Sequence, residues 1–215
     1  MDIETIRRQA ETPVEATPGD VDSVVADLTD AFHVDPHFNW FMRDDARKTQ
    51  ARARLFRLLL SELTVGIGRI DRPAGGGAAA VWMPSSALGP NSLLQELRAL
   101  PTILNATGLS RFGRLLALRA DMDRRHPMDR PHVYLWFLGV ATEAQGRGVG
   151  SRILRAGTDR LDAQGLPAYL ETGTERNVAL YTRHGFQVIS MDRARPDAPP
   201  MWGMWRDPSP QASPH

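Results

Sequence analysis

The apolar positions of this chain alternate between two periods. Apolar residues recur every three to four positions within 21–32, 46–65, 91–100, 110–125, 151–164 and 175–184, which predicts helices. Short apolar runs bounded by Gly, Pro or Asp predict strands at 14–16, 66–72, 78–83, 133–141, 168–171, 186–191 and 201–205. The mixture of both kinds of element predicts a single mixed α/β domain over residues 1–206.

Three stretches interrupt that pattern. Residues 85–131 contain no convincing strand and are interpreted as a helical insertion or lid, whose two helices are separated by Pro101 and Gly108. Asp35-Pro36 breaks the first helix, and residues 33–42 are predicted to form an aromatic-rich loop. Residues 207–215 are rich in Pro and Ser and predict a disordered tail.

Composition excludes several classes of protein. With 42% hydrophobic residues the chain can form a core, and its net charge of +1 gives no strong attraction to nucleic acid or a membrane. The lack of cysteine excludes disulfides, zinc–thiolate sites and a cysteine nucleophile. No His, Asp and Glu spacing resembles a metal site, so no metal is expected. The chain has no run of about 18 apolar residues and no apolar signal core near its start, and a cytoplasmic location is expected.

A glycine-rich turn carries the strongest chemical signal. Gln145, Gly146, Arg147, Gly148, Val149 and Gly150 lie between the apolar run 133–141 and the amphipathic run 151–164, which indicates strand, turn and helix. A glycine turn at a helix N-terminus presents main-chain N–H groups to a phosphate. The spacing is not that of a dinucleotide-binding turn, and the Gly-Lys-Ser/Thr ending of a Walker loop is missing. An acyl-CoA site is the favoured interpretation, and a purely structural turn is the alternative.

Two sequence blocks resemble the GCN5-related N-acetyltransferase (GNAT) superfamily. Leu138-Gly139-Val140 followed by the glycine turn is similar to that family's acetyl-CoA motif, Q/R-x-x-G-x-G/A. Leu170-Glu171-Thr172, the run from Arg176 to Tyr181, and His184-Gly185-Phe186 resemble its second conserved block. The match covers about residues 133–205. The first half is more loosely similar to puromycin N-acetyltransferase and its relatives, through Ala31-Phe32, Asp35-Pro36 and the strand at 79–82.

This resemblance implies both a fold and a cofactor site. The fold would be a twisted, mostly antiparallel sheet, split at its centre between the strands 133–141 and 168–171 and flanked by helices. Acetyl-CoA would lie in that cleft and bind main-chain groups of Leu138 and Val140 as an added strand would. The cofactor-binding set would be Leu138, Gly139, Val140, Gln145, Gly146, Arg147, Gly148, Val149, Gly150 and Ser151, with Asn177 either binding CoA or capping local backbone.

Two residues are candidates for the chemistry. Without cysteine, direct attack by the amine in a ternary complex is the simple route. Tyr181 is the candidate general acid, since a phenol can protonate a departing thiolate, and a buried core tyrosine is the alternative. Glu171 is the candidate base, and a solvated edge-strand or ion-paired glutamate is the alternative. His184 is expected to interact with a helix end, and His126 and His132 are expected at the surface or in a loop.

The aromatic loop supplies the hypothesis for the acceptor. His33, Asp35, Phe38 and Trp40 could form a wall that binds a flat or apolar amine, while a hydrophobic plug beneath the first helix and a turn capped by Asp35 are the alternatives. We therefore expect N-acetylation of a small-molecule amine. The alternatives are protein or peptide acetylation and a non-catalytic acyl-CoA-binding module. A homodimer is possible by analogy with such folds.

Overall fold

The computed structural model describes residues 2–63, 66–89 and 92–209. Residue 1, the last two residues of the helix predicted at 46–65, positions 90–91 of the predicted insertion and residues 210–215 of the predicted tail lie outside this description. The elements in chain order are α1 Ile3–Glu11, β1 Val14–Glu15, α2 Val21–Ala31, α3 Pro36–Phe41, α4 Lys48–Leu63, β2 Arg69–Arg72, β3 Ala78–Pro84, α5 Leu93–Arg125, β4 Val133–Val140, α6 Val149–Ala163, β5 Ala168–Thr172, α7 Glu175–Thr182, β6 Gln187–Asp192 and β7 Met201–Arg206.

The strands form one sheet in the order β1-β2-β3-β4-β5-β7-β6. Every neighbouring pair is antiparallel except β4 and β5, which are parallel. The β4–β5 pairing covers only Val133–Ala168, Tyr134–Tyr169 and Leu135–Leu170. Beyond these pairs the two strands separate, and we call this gap the split. The mixed α/β fold with a mostly antiparallel sheet opened at its centre is therefore confirmed.

Helices cover both faces of the sheet. Helices α1, α6 and α7 pack on one face, here called the α6 face, over a core that includes Trp82, Leu135 and Leu170. Helices α2 to α5 cover the opposite face, the α5 face, over a core that includes Val81 and Phe137. Because side chains alternate along a strand, Tyr134, Tyr169 and Glu171 lie on the α5 face.

Two helical predictions need correction. Residues 33–42 are not an aromatic loop, because Pro36–Phe41 forms α3; the Asp35 side chain caps it by accepting from the Phe38 N–H at 2.9 Å, and Pro36 suits its first position. The insertion is not divided at Pro101, which is exposed within a continuous helix, but at Gly108, whose backbone is non-helical (φ 63°, ψ 173°). The described residues of 85–131 include no strand, as predicted.

Both ends of the described chain attach to the domain. Helix α1 packs against α6, where the Arg152 Nε donates to Glu11 at 2.8 Å. The Ser209 N–H donates to Asp162 at 2.8 Å, so the first residues of the predicted tail are ordered against the domain. Among the helices described, none has the length and apolar character needed to cross a membrane.

Candidate active site

The glycine turn lies at the N-terminus of α6, beside the split. Gly146 (φ 71°) and Gly148 (φ 80°) have left-handed backbones that favour glycine, and Gly148 is the N-cap of α6. The N–H groups of the first helical turn, Val149 to Ser151, have no partner within the helix. Nothing lies within 4 Å of the point where a Cβ would stand on Gly146. This cradle of open backbone and N–H donors fits a phosphate group.

The end of β4 presents main-chain groups to the split. The Ala141 N–H donates to Gly77 at 2.9 Å, and Ala78 is the Cα partner of Val140. Ladder bonds alternate in an antiparallel pair, so the N–H groups of Leu138 and Val140 point away from β3 and into the split. The Gln145 Nε2 donates to the Val140 carbonyl at 3.0 Å and so fastens the glycine turn to the end of the strand.

Gly139, from the same predicted binding set, has a packing role. A Cβ on Gly139 would lie 2.5 Å from the Leu28 Cδ2 and 3.0 Å from the Ala31 Cβ. The missing side chain therefore lets α2 approach the end of β4. Arg147 is exposed on the turn, and the Asn177 N–H bonds the Thr174 hydroxyl that caps α7. It is Thr174, not Asn177, that provides the cap.

Glu171 is a buried carboxyl and not a solvated one. Its side chain is 3% exposed. Oε2 accepts from the Tyr134 hydroxyl at 2.5 Å, and Oε1 accepts from the Tyr169 hydroxyl at 3.1 Å. Burial raises the pKa of Glu171 to about 7, against the lowering effect of the two hydroxyl donors. A carboxyl with a pKa near neutrality can accept and release a proton at physiological pH.

Tyr181 lies on the opposite face of the sheet. It is 6% exposed and packs within the core of the α6 face, 5.8 Å between ring centroids from Phe186. Burial raises the pKa of Tyr181, and the nearby Asp35 carboxyl adds to that effect. Its hydroxyl makes no hydrogen bond to any residue that the structure describes. The acid and base candidates thus lie on opposite faces of a sheet that opens between them.

His126 and His132, predicted at the surface or in a loop, both lie outside helices and strands, but both are buried, so the surface position is wrong. His126 has a 9% exposed side chain and His132 is 3% exposed. Their Nε2 atoms are 2.9 Å apart, and the His126 Nδ1 is 3.9 Å from the Glu171 Oε1. The sequence contained no signal for this contact, because it joins the end of α5 to the start of β4.

The predicted substrate wall contains residues with different environments. Phe38 is buried in the core and stacks on Phe56 with 5.2 Å between ring centroids, as the plug alternative requires. Trp40 is buried and its Nε1 donates to Asp197 at 3.1 Å. His33 is exposed, and its Nδ1 lies 2.7 Å from the Asp30 carbonyl. Asp35 caps α3, as described above.

Three further residues at the site were missed from the sequence. His37, 6% exposed, packs so closely on the residue after β5 that a Cβ on Gly173 would lie 2.3 Å from its Nδ1. Burial lowers the pKa of His37 to about 4, so it is neutral at physiological pH. Tyr134 and Tyr169 hold Glu171. The period of two along β5, which places Tyr169 and Glu171 on one face, was a signal that could have found Tyr169.

A cavity lies beside the glycine turn on the α6 face. Its volume is about 590 Å³, and the Ser151 Oγ within it is 2.7 Å from the His184 Nε2. The lining residues are mostly charged or polar: Glu11, Ser151, Arg152, Arg155, Ala156, Asp159, Arg183 and His184. His184 therefore contacts the predicted cofactor-binding set. In the described part of the chain no cluster of His, Asp and Glu could hold a metal ion.

Comparison with known proteins finds similarity to acetyltransferases. The model of the acetyltransferase (GNAT) family matches residues 113–186. The crystal structure of histone acetyltransferase HPA2 and related acetyltransferase from Corynebacterium glutamicum is 26% identical, with a TM-score of 0.68 over 93% of this chain and 98% of that one. Arylalkylamine N-acetyltransferase 2 from Aedes aegypti, 11% identical with a TM-score of 0.59 over 92% of this chain and 98% of that one, shares the fold.

A curated relative matches over a shorter segment. A mycothiol acetyltransferase from Propionibacterium freudenreichii is 39% identical over 66 residues, which are 29% of this chain and 21% of that protein. Across three curated relatives, this chain spans between 21% and 57% of the relative's length.

Proposed function

The chain belongs to the GNAT acetyltransferase superfamily, and we propose that it transfers the acetyl group of acetyl-CoA to a primary amine of a small molecule. The observation that carries this proposal is the position of Glu171. It is a buried carboxyl with a pKa raised to about 7, on the strand that borders the split opposite the glycine turn.

The glycine turn and the end of β4 are the proposed acetyl-CoA site. The pyrophosphate would bind the main-chain N–H groups from Gly146 to Ser151, at the positive end of the α6 dipole. The pantetheine arm would pair with the N–H groups of Leu138 and Val140, which point into the split. Acetyl-CoA supplies an activated acetyl group as a thioester. One of the two strand N–H groups would stabilise the negative charge that develops on its carbonyl oxygen.

Glu171 is proposed as the base. An amine is protonated at neutral pH and cannot attack until it loses a proton. A carboxyl whose pKa is near 7 accepts that proton far better than an ordinary glutamate, because the match of pKa values sets the driving force of the transfer. The hydroxyls of Tyr134 and Tyr169 fix the orientation of the carboxyl.

Tyr181 is proposed as the acid that protonates the departing thiolate. Its hydroxyl has no hydrogen-bond partner among the described residues, so no structural bond has to break before it donates. The raised pKa keeps the phenol protonated at physiological pH, as a general acid must be. Asn177, in the first turn of the same helix, is proposed to bind the CoA moiety.

Burial of the base supports a small acceptor. Two arginines attach helix α5 to the end of α3 on the α5 face of the sheet. The Arg111 guanidinium donates to the Met42 carbonyl at 2.7 Å, and the Arg114 guanidinium donates to the Trp40 carbonyl at 3.0 Å. Arg114 also pairs with Asp197 at 3.1 Å. A protein chain could not reach the 3% exposed Glu171 beneath this cover. His33, Asp35, His37 and Trp40 are proposed to contact the acceptor. The relatives are named for both mycothiol and histone, so their names do not decide the acceptor class.

The test separates cofactor binding from turnover. We expect acetyl-CoA to bind one site per chain in calorimetry, and a panel of small amines to contain an acceptor whose acetylation releases free thiol. Glu171→Gln should bind acetyl-CoA with unchanged affinity and lose roughly 10²-fold or more in kcat, the contribution of a general base. An acceptor found only among peptides would contradict the small-molecule assignment. Absence of acetyl-CoA binding by the folded protein would contradict the proposed function altogether.

A further inference from the structure

A buried pair of histidines lies between α5 and β4, against the candidate base. His126 is the C-cap of α5, and His132 precedes β4 by one residue. The His126 ring packs edge-on against Tyr134 and Tyr169, with centroid separations of 4.8 and 4.7 Å, the two tyrosines that hold Glu171. Nothing in the mechanism proposed above uses either imidazole.

The hydrogen bonds of the pair determine where its protons lie. The His132 Nδ1 is 3.0 Å from the Arg130 carbonyl oxygen, which can only accept, so this nitrogen carries the His132 proton. The His132 Nε2 is then an acceptor. It lies 2.9 Å from the His126 Nε2, so His126 must donate the shared proton. Burial lowers the pKa of His126 to about 4 and also lowers that of His132, so both rings are neutral at physiological pH.

The proton position on His126 determines what its Nδ1 presents to Glu171. A neutral imidazole carries one proton, and in His126 that proton is on Nε2, so Nδ1 is bare. This bare nitrogen faces the Glu171 Oε1 at 3.9 Å. It opposes a carboxylate, since two acceptors face each other, and it offers an acceptor to the protonated carboxyl. Hydrogen bonding to the neutral form of an acid raises the acid's affinity for protons.

We propose that His126 and His132 are positioning residues which, by fixing the tautomer of His126, stabilise the protonated form of Glu171 and so strengthen it as a base. The inference rests on the proposed function for its catalytic meaning. When Glu171 has taken the proton of the ammonium group, its Oε1–H donates to the His126 Nδ1 after a closure of about 1 Å, as apo sites commonly require. His132 acts through His126 and does not touch the substrate.

The other groups that face Glu171 do not supply this effect. Tyr134 from β4 and Tyr169 from β5 donate to the carboxylate and favour ionisation. Arg125 on α5 also favours the carboxylate, although it is ion-paired with the buried Asp121, and Asp123 on the same helix opposes it. His126 is the group that places a bare acceptor nitrogen toward Oε1.

The test measures tautomers and a carboxyl titration, neither of which needs activity. In the wild-type protein, ¹H–¹⁵N correlation of the imidazoles should give Nε2–H for His126 and Nδ1–H for His132. His132→Leu removes the acceptor that holds the proton on the His126 Nε2. His126 can then adopt the Nδ1–H tautomer and donate to Glu171. The midpoint of the Glu171 ¹³C titration, assigned with Glu171→Gln, should then fall by at least one pH unit, about tenfold in proton affinity.

Trp205→Phe is the matched control. Trp205 packs against His132 with 5.3 Å between ring centroids, so this change loosens the packing and keeps both imidazoles. It should leave the Glu171 midpoint in place. Nδ1–H on His126 in the wild type, or an unmoved midpoint in His132→Leu, would overturn the proposal. Should His132→Leu fail to fold, the wild-type tautomers still decide. If the proteins titrate as expected but acetylate no amine, the proposed function is wrong, and the effect of the His126 tautomer on Glu171 is still supported.

Discussion

The Glu171 carboxyl is under the influence of several opposing neighbours. Burial alone would push its pKa far up, while the Tyr134 and Tyr169 hydroxyls act in the other direction. The outcome near neutrality depends on contacts that come from β4, β5 and α5, and not on the residue type. A change in one of these contacts should therefore change the basicity of Glu171 without touching it.

Tyr181→Phe removes only the hydroxyl of Tyr181 and so tests its proposed role as the general acid. The ring and its packing on Phe186 remain, and the hydroxyl has no partner among the described residues, so stability should change by less than about 0.5 kcal/mol. Loss of the proton donor should lower kcat by roughly 10²-fold with acetyl-CoA affinity unchanged. Steady-state kinetics and calorimetry on the same sample make the comparison. Full turnover by a folded Tyr181→Phe would leave Tyr181 as a core residue.

At this scale the sequence predicted residues whose position follows from a local motif. The glycine turn and Glu171 could be placed because a strand–turn–helix pattern and a period of two fix them locally. Whether Phe38 forms a substrate wall or a core plug, and whether His126 and His132 are buried, could not be decided from local patterns. They depend on which helix covers which strand, and that information is spread over residues more than 40 positions apart, such as His132 and Ser85, whose Oγ accepts the His132 N–H at 3.0 Å.

Helix α6 is the element that links packing to the proposed acetyl-CoA site, and Gly157 sets how closely it approaches the sheet. A Cβ on Gly157 would lie 2.3 Å from the Trp82 Cζ2, in a ring that is 1% exposed. Gly157→Ala should lower the free energy of unfolding by about 1–2 kcal/mol, because overpacking outweighs the gain in helix propensity. Since α6 carries the glycine turn, acetyl-CoA affinity should fall as well.

Gly113→Ala is the control for that substitution. Gly113 is exposed in α5 and nothing lies within 4 Å of its Cβ position, so alanine should raise stability by about 0.5–1 kcal/mol and leave acetyl-CoA binding unchanged. Urea unfolding and calorimetry on the two variants give the comparison. Equal stability of Gly157→Ala and Gly113→Ala would mean that Trp82 moves aside without cost.

The elements themselves were largely predictable, apart from α1, which was not predicted, and the two errors at breaker residues have a common cause. Asp35-Pro36 ends one helix, but an N-cap Asp followed by Pro at the first position also begins another, and only the second property explains α3. Pro101 and Gly108 were both predicted to separate two helices, and only Gly108, whose left-handed backbone interrupts α5, does so. A breaker residue indicates a change of direction, and tertiary contacts decide whether the helix continues.

The whole molecule combines a mostly antiparallel sheet with a buried carboxyl near its centre, and ionisation of that carboxyl opposes folding. Five of the six neighbouring strand pairs are antiparallel, and the parallel pair opens after three residue pairs. That split exposes strand main chain at the proposed acetyl-CoA site, and beside it the Glu171 carboxyl is buried. A buried carboxyl that must ionise for the proposed role as a base opposes folding, so activity and stability should trade against each other here.

Glu171→Gln should stabilise the whole protein at neutral pH. The pKa of Glu171 is about 7 in the folded protein, against an ordinary value of 4.5, so the stability present below pH 4.5 is lost as pH rises to 7. His37 and His126 have folded pKa values of about 4 and change stability in the opposite direction. The stability that they contribute while neutral is lost as pH falls from 6.5 to 4.

The advantage of Glu171→Gln over wild type should therefore grow by about 1.4 kcal/mol per pH unit between pH 4.5 and 7, while both proteins retain the histidine effect. Urea unfolding at pH 5, 6, 7 and 8 measures it, with Glu143→Gln as the control for removal of one exposed carboxyl. A pH-independent difference for Glu171→Gln would mean that the carboxyl ionises in the folded protein as easily as in the unfolded chain, and the candidate base would lose the property that distinguishes it.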